Sequence, residues 1–229
     1  MINFVIFDVD GTLIDSVDFH AEAWQKAFEK YGKKIEYQKI RDQIGKGGDQ
    51  LMPVFFSQKE LKDFGEEMEK YRGELFKKEY LNRVKPFPKA HDLIKKVAGE
   101  RKSIALASSA KADELEHFKN VLDIADYLAG ETNADDAEKS KPHPDIFEAA
   151  LKRLGNPPIE KCVVVGDAPY DAIAARKIGL KTIGVLSGGF SEKWLRDEGC
   201  VEIYENPADL LAHYADSLLG RKPGAKAII

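Results

Sequence analysis

The chain has 229 residues, 43% hydrophobic and 32% charged, with a formal net charge of -4, enough for one large α/β domain or a domain carrying a sizeable insertion. The acidic balance, with lysine pairs at 33/34, 77/78 and 95/96 dispersed among acids, lacks a nucleic-acid footprint, so no nucleic-acid partner is expected. Cys162 and Cys200 offer neither a CxxC site nor a disulfide framework, no stretch approaches the ~18 apolar residues of a membrane span, and no basic-then-apolar leader precedes the first strand.

A reduced cytoplasmic protein without membrane association is the expectation, with monomer and homodimer both open. Residues 2–7 are an apolar, strand-like run that leads straight into Asp8 and Asp10, followed by Gly11. A strand buried on both faces reads as a continuous apolar run, so its end delivers the two acids to the carboxyl edge of a parallel sheet, where α/β proteins bind ligands. Like charges held that close need a cation or share a proton. The next strand-like run begins only at residue 102, far beyond a simple crossover. The stretch 17–84 instead reads as a helical insert, with one helix over 18–31 and a second marked by Leu61, Phe64, Met68, Tyr71 and Leu75. That stripe is read as the inner seam of a small bundle rather than as a dock for a partner helix. Lys85-Pro86-Phe87-Pro88 then returns the chain, with Pro88 placed to open the next helix.

Strand-like runs follow at 102–107, 126–129, 161–165 and 180–186. The first ends in Ser108 and Ser109, and the third in Gly166, which permits a tight exit, and Asp167. Residues 144–154 place Ile146, Phe147, Ala150, Leu151 and Leu154 on one helical face, and 170–178 do the same with Ile173, Ala174 and Ile178. Strands alternating with helices predict an α/β, doubly wound parallel sheet. The division that follows is a core of residues 1–16 and 85–220, a helical insert of 17–84 and a loose tail of 221–229.

Singly, an Asp after a strand caps a helix, Ser-Ser makes a turn and Lys-Pro starts a loop. Together and in this order, FVIFDVDGTL from Phe4, SIALASS from Ser103, KSKPHPDIF from Lys139 and VVVGDAPYD from Val163 resemble the four motifs of the haloacid dehalogenase (HAD) superfamily. The resemblance implies a HAD Rossmann-like core with an inserted α-helical C1 cap, and phosphoryl transfer dependent on Mg2+. Asp8 would attack phosphorus to form an aspartyl-phosphate, and Asp10 would serve as general acid and base, its pKa raised by its acidic neighbours. Asp8, Asp10 through its backbone carbonyl, and Asp167 would hold the metal. Ser108 and Lys141 would bind the transferring phosphoryl group, Ser109 would face the leaving group, and Asp171 would hold either a metal-bound water or Lys141. Ala168 departs from the Ser or Thr often found in relatives, which puts one minor hydrogen bond in doubt.

The insert begins with DSVDFHAEAW from Asp15, close to the β-phosphoglucomutase-like branch of the superfamily. His20 is then either a satisfied structural histidine or a group near the hinge and leaving group, and Trp24 is read as packing at the insert's boundary. IGKGGDQ from Ile44 aligns with the loop that reads the leaving group, where Lys46 either meets a second anionic group or is the solvated lysine of a turn. This loop lacks the Arg of the mutase pattern, which lowers the mutase reading, and Asp10 argues against dehalogenase and phosphonatase activities. The sequence therefore reads as a phosphomonoester phosphatase for a small phosphorylated metabolite. The alternatives are a phosphosugar mutase and a catalytically silent binding protein on the same scaffold.

Overall fold

A computed structural model describes residues 1–221. Its first strand, β1 (Phe4–Phe7), is followed by a tight loop, a short β2 (Ile14–Asp15) and the insert helices α1 (Val17–Lys30), α2 (Tyr37–Arg41), α3 (Gly48–Leu51) and α4 (Gln58–Glu79). Ser57 and Glu60 start α4 with a reciprocal capping box, each side chain accepting from the other's backbone N–H. The return segment forms β3 (Lys85–Pro86), antiparallel to β2, with Ile14 opposite Pro86 and Asp15 opposite Lys85. Entry to and exit from the insert are thereby stitched together, an element absent from the sequence reading because strands this short carry no periodicity.

The remaining chain alternates: α5 (Ala90–Gly99), β4 (Ser103–Ala107), α6 (Ala112–Leu122), β5 (Gly130–Thr132), α7 (Asp145–Arg153), β6 (Cys162–Gly166), α8 (Pro169–Lys177), β7 (Lys181–Val185), α9 (Glu192–Asp197), β8 (Cys200–Tyr204) and α10 (Pro207–Ala212). The main sheet runs β5-β4-β1-β6-β7-β8, and every adjacent pair is parallel. Pleating sends Val5 and Phe7 to one face, where they meet Leu93 and Ile94 of α5 and Leu115 and Phe118 of α6. Ile6 points to the other face, into a cluster with Phe147 of α7 and Ala174 of α8. Burying each large side chain contributes roughly 1.5–3 kcal/mol, so the two-sided core accounts for the apolar continuity of the central strands. A separate apolar cluster, from Val17 and Trp24 to Met68, lies within the insert.

Several local expectations are corrected. The strand read at 126–129 is a 3-10 turn over Ala125–Tyr127, and β5 begins at Gly130. Tyr127 and Leu128 instead pack against the core, and a Cβ at residue 130 would come within 2.7 Å of Arg153, so close helix packing demands glycine where the apolar signal fades. The edge strand β8 was not read, since only five residues alternate there and Val201 stays 47% exposed. Pro88 does not open α5; Lys89, in the left-handed region, is its N-cap. Of the expected stripe on α4 only Met68 is fully buried, and the inner line is Gly65, Met68 and Phe76. Arg221 of the expected tail is fastened to Glu202 at 2.9 Å, and 222–229 lie outside the described residues. Among the described residues no helix is long and apolar enough to cross a membrane, and both cysteines are buried and free.

Candidate active site

Parallel register brings three strand ends side by side. Phe7 of β1 pairs with Leu106 of β4 and with Val165 of β6, so Asp8, Ser108 and Asp167 emerge just beyond neighbouring strands where the connections diverge to opposite sides of β1. The left-handed Gly11 lets the following loop fold back over Asp167, whose carboxylate leaves no space for a Cβ there. Gly166 is the last residue of β6, and there a Cβ would meet Asp171 at 2.6 Å, so close approach as well as the strand's exit calls for glycine.

Lys141 enters from the loop between β5 and α7 and is 1% exposed. Its Nζ donates to Asp8 Oδ1 at 2.5 Å and to Asp171 Oδ1 at 2.8 Å. Asp171 also accepts from the Ala168 N–H at 3.1 Å, so its carboxylate is spent on holding Lys141 and the start of α8. Of the two roles expected for Asp171, the geometry displays the lysine contact. Thr12 was not singled out in the sequence, although it follows Asp-Gly; its hydroxyl donates to Asp167 Oδ1 at 2.9 Å and lies 3.3 Å from Asp8 Oδ2.

The electrostatics follow from burial. Desolvation pushes the Asp8 carboxyl up, Lys141 pulls it down and Asp171 pushes it up again, leaving it at about 7. Burial, Asp8 and Asp171 hold Asp167 well above the ordinary carboxylate range. Burial disfavours the Lys141 ammonium, but Asp171 and Asp8 outweigh it and hold its pKa above the usual lysine value. Asp8, Asp167 and Asp171 each bring a carboxylate oxygen within 4.8 Å of the others. An all-oxygen set of three buried carboxylates beside one ammonium fits a hard divalent cation, with Asp167 and the second oxygen of Asp8 not taken by Lys141 or the backbone.

Asp10 corrects an expectation. Its carboxylate turns away from the other acids, with Oδ1 2.6 Å from Ser16 Oγ and 2.9 Å from His20 Nε2. Burial pushes its pKa up, yet the His20 charge and the hydrogen bonds from His20 and Ser16 outweigh burial and hold it below the usual range. The acidic neighbours do not set it. His20 is buried and stacked on Phe76 of α4 with centroids 4.0 Å apart, which brings α1 of the insert to the acid pair. Ser108 Oγ accepts from the Ala110 N–H at 3.0 Å and lies 3.5 Å from Asp10 Oδ2.

A cavity of about 50 Å³ separates sheet edge and insert, with Asp8, Asp10, Lys141 and Ser109 on one side and His20 and Lys46 on the other. Lys46 Nζ donates to Gln43 at 2.6 Å and stands 4.6 Å from the centre of the Tyr170 ring, while burial holds its pKa down. It is a half-buried lysine that lines the cavity. Trp24 packs in the insert's core, as expected, and also lines the cavity. Two further lining residues, Arg72 of α4 and Glu114 of α6, were not read from the sequence.

Comparison with known proteins agrees with this geometry. A family model described as haloacid dehalogenase-like hydrolase matches residues 5–185. The chain is 30% identical over 208 residues to a phosphorylated carbohydrates phosphatase of Thermotoga maritima, covering 90% of this chain and 95% of that one. It is also 30% identical over 190 residues to a phosphoglycolate phosphatase of Aquifex aeolicus, covering 80% and 84% respectively. Among solved structures, a hydrolase from Pseudomonas syringae superposes with a TM-score of 0.82 at 29% identity, over 93% of this chain and 98% of that one.

Proposed function

Because the chain belongs to the haloacid dehalogenase-like hydrolase family, we propose that it is a Mg2+-dependent phosphomonoester phosphatase acting on a small phosphorylated metabolite through an aspartyl-phosphate. The observation that carries this reading is the asymmetry around Asp8. One oxygen is held by Lys141, the other faces Thr12, and Asp10 is held on a different side by Ser16 and His20.

In this reading Asp8 attacks phosphorus as the bond to the leaving oxygen breaks, while Ser108 and Lys141 hold the transferring group's oxygens. Asp10 gives its proton to the leaving oxygen. It then takes a proton from the water that attacks the aspartyl-phosphate, which releases phosphate and restores Asp8. His20 and Ser16 favour the ionised form of Asp10 in the free protein, the form the second step needs; the charge of a bound phosphate dianion raises its proton affinity, so that it takes up a proton from solvent for the first. Asp8, the Asp10 carbonyl and Asp167 would hold Mg2+, which neutralises the repulsion between a carboxylate and a phosphate dianion. The insert, 17–84, acts as a cap over the core of 1–16 and 85–220. A cavity of about 50 Å³ has room for a few waters, so a substrate enters only when this cap opens.

The test is phosphate release from phosphorylated metabolites with Mg2+ and with excess chelator, together with borohydride trapping. Reduction of an aspartyl-phosphate leaves homoserine in place of Asp8, detectable by mass spectrometry. Turnover undiminished by chelation, or trapping at another residue, overturns the mechanism. Accumulation of an isomer without phosphate identifies a mutase, and absence of both products a binding protein.

A further inference from the structure

Arg72 and Glu114 carry opposite charges in one wall of the cavity. Glu114 is 2% exposed, yet its carboxylate forms no hydrogen bond or ion pair with any other described residue, not even the backbone cap its place in the first turn of α6 allows. Its helix is fixed against the insert beside it, where Lys77 Nζ of α4 lies 2.6 Å from Asp113 Oδ2. The Arg72 Nε is buried without a partner. Its guanidinium is nonetheless aimed, stacked 4.9 Å from the Trp24 ring centre with Nη1 3.5 Å from His20 Nδ1. Both residues line the inner cavity, and both also line an outer groove with Glu69, Lys70, Lys77 and Lys111. They form the wall through which the inner cavity continues outward.

A guanidinium N–H buried without a partner is costly, and a ligand presenting an acceptor to Arg72 and a donor to the Glu114 carboxylate, which borders both the cavity and the groove, engages the two together. A hydroxyl does each. A carboxylate on the leaving group would satisfy Arg72 but stand in the field of Glu114. We propose that Arg72 and Glu114 are the specificity-determining pair for the leaving group: they select phosphomonoesters of polyhydroxylated alcohols, whose chain extends past them into the outer groove, over phosphomonoesters of short hydroxy acids. This rests on the phosphatase reading above.

The experiment compares D-glucitol 6-phosphate with 2-phosphoglycolate, using the full chain and Mg2+. Wild-type kcat/KM favours the polyol ester by about tenfold or more, the scale set by leaving a buried polar pair unpaired. Glu114→Gln and Arg72→Gln each shrink that ratio at least about fivefold, chiefly through KM of the polyol ester. Equal preference in the wild type overturns the proposal. So do variants that slow both probes alike, as a structural role or a cap-to-core latch would. Calorimetric affinities of the same probes for the Asp8→Asn protein give a second readout. A selective Asp8→Asn protein whose wild type hydrolyses neither probe supports the pair and counts against the phosphatase reading; an unselective one, or one that binds neither probe, overturns the pair. Arg72→Gln, on the insert, carries the test if Glu114→Gln fails to melt cooperatively.

Discussion

On the sheet side of the cavity, Lys141 bridges Asp8 and Asp171, Thr12 serves Asp167, and the Ala168 N–H completes Asp171. In the wall toward the outer groove, Arg72 Nε is buried without a partner, and Glu114 forms no ion pair with another described residue. The first region is already in a reactive arrangement before any substrate arrives, since its dipoles and charges fix one another through rigid strand ends. The second depends on what enters. On the proposed reading the contrast separates chemistry shared by every phosphomonoester from recognition of one leaving group, and mutations on the two sides should differ in kind.

The largest effect is expected at the proposed nucleophile. Asp8→Asn retains the shape and the hydrogen bond from Lys141 but removes the carboxylate proposed to attack phosphorus, so turnover should fall by about a thousandfold or more. A folded Asp8→Asn protein with near wild-type turnover of any phosphomonoester would break the comparison at its root. Next comes Lys141→Met. It leaves Asp8 and Asp171 facing each other without their shared cation, a loss of about 3–5 kcal/mol for a buried charge stripped of its partner. At about 2–4 °C per kcal/mol for a chain of this size, the thermal midpoint should drop by roughly 6–20 °C. A midpoint unchanged in metal-free buffer would mean that the Lys141 bridges contribute nothing to the fold.

How far the sequence reveals these sides follows from the same physics. Asp8, Ser108 and Asp167 are legible because each ends an apolar run whose only stable place is a buried parallel strand. Lys141 is legible from its motif. The ionisation of Asp10 is not, since its carboxylate is governed by His20, ten residues away on a helix whose packing on Phe76 is a tertiary fact. Arg72 is hidden for a related reason. It is four residues beyond Met68 and four before Phe76 on the inner line of α4, but a charged residue interrupts an apolar stripe, so periodicity favours Tyr71 and Leu75 instead. Glu114 sits among Asp113 and Glu116 in an amphipathic helix, and an acid in a first turn reads as one attracted by the helix dipole.

Between the two regions lies a contact whose effect should be intermediate. The Tyr170 hydroxyl of α8 donates to the Asp42 carbonyl of the insert at 2.5 Å, while its ring carries Lys46. Tyr170→Phe keeps the ring and removes the hydrogen bond, about 1 kcal/mol. If closure of the insert uses this bond, KM should rise about fivefold, with kcat for a small acyl phosphate much less affected. An equal loss for both substrates would assign Tyr170 to the core alone.

The smallest stability change is expected where the buried charge has no partner to lose. Glu114→Gln keeps the side chain's shape and exchanges a carboxylate that pairs with no other described residue for a neutral amide that both donates and accepts. The first turn of α6 favours the carboxylate slightly, an advantage the amide gives up, and no ion pair is lost, so the net change is small. The midpoint in the absence of substrate should therefore stay within about 2 °C of wild type or rise. Lys141→Met and Glu114→Gln then form the sharpest form of the comparison: each removes one buried charge from the same cavity, one with partners and one without. If Glu114→Gln instead lost as much stability as Lys141→Met, the carboxylate would be holding the fold, and the wall toward the outer groove would be as fully satisfied as the sheet side.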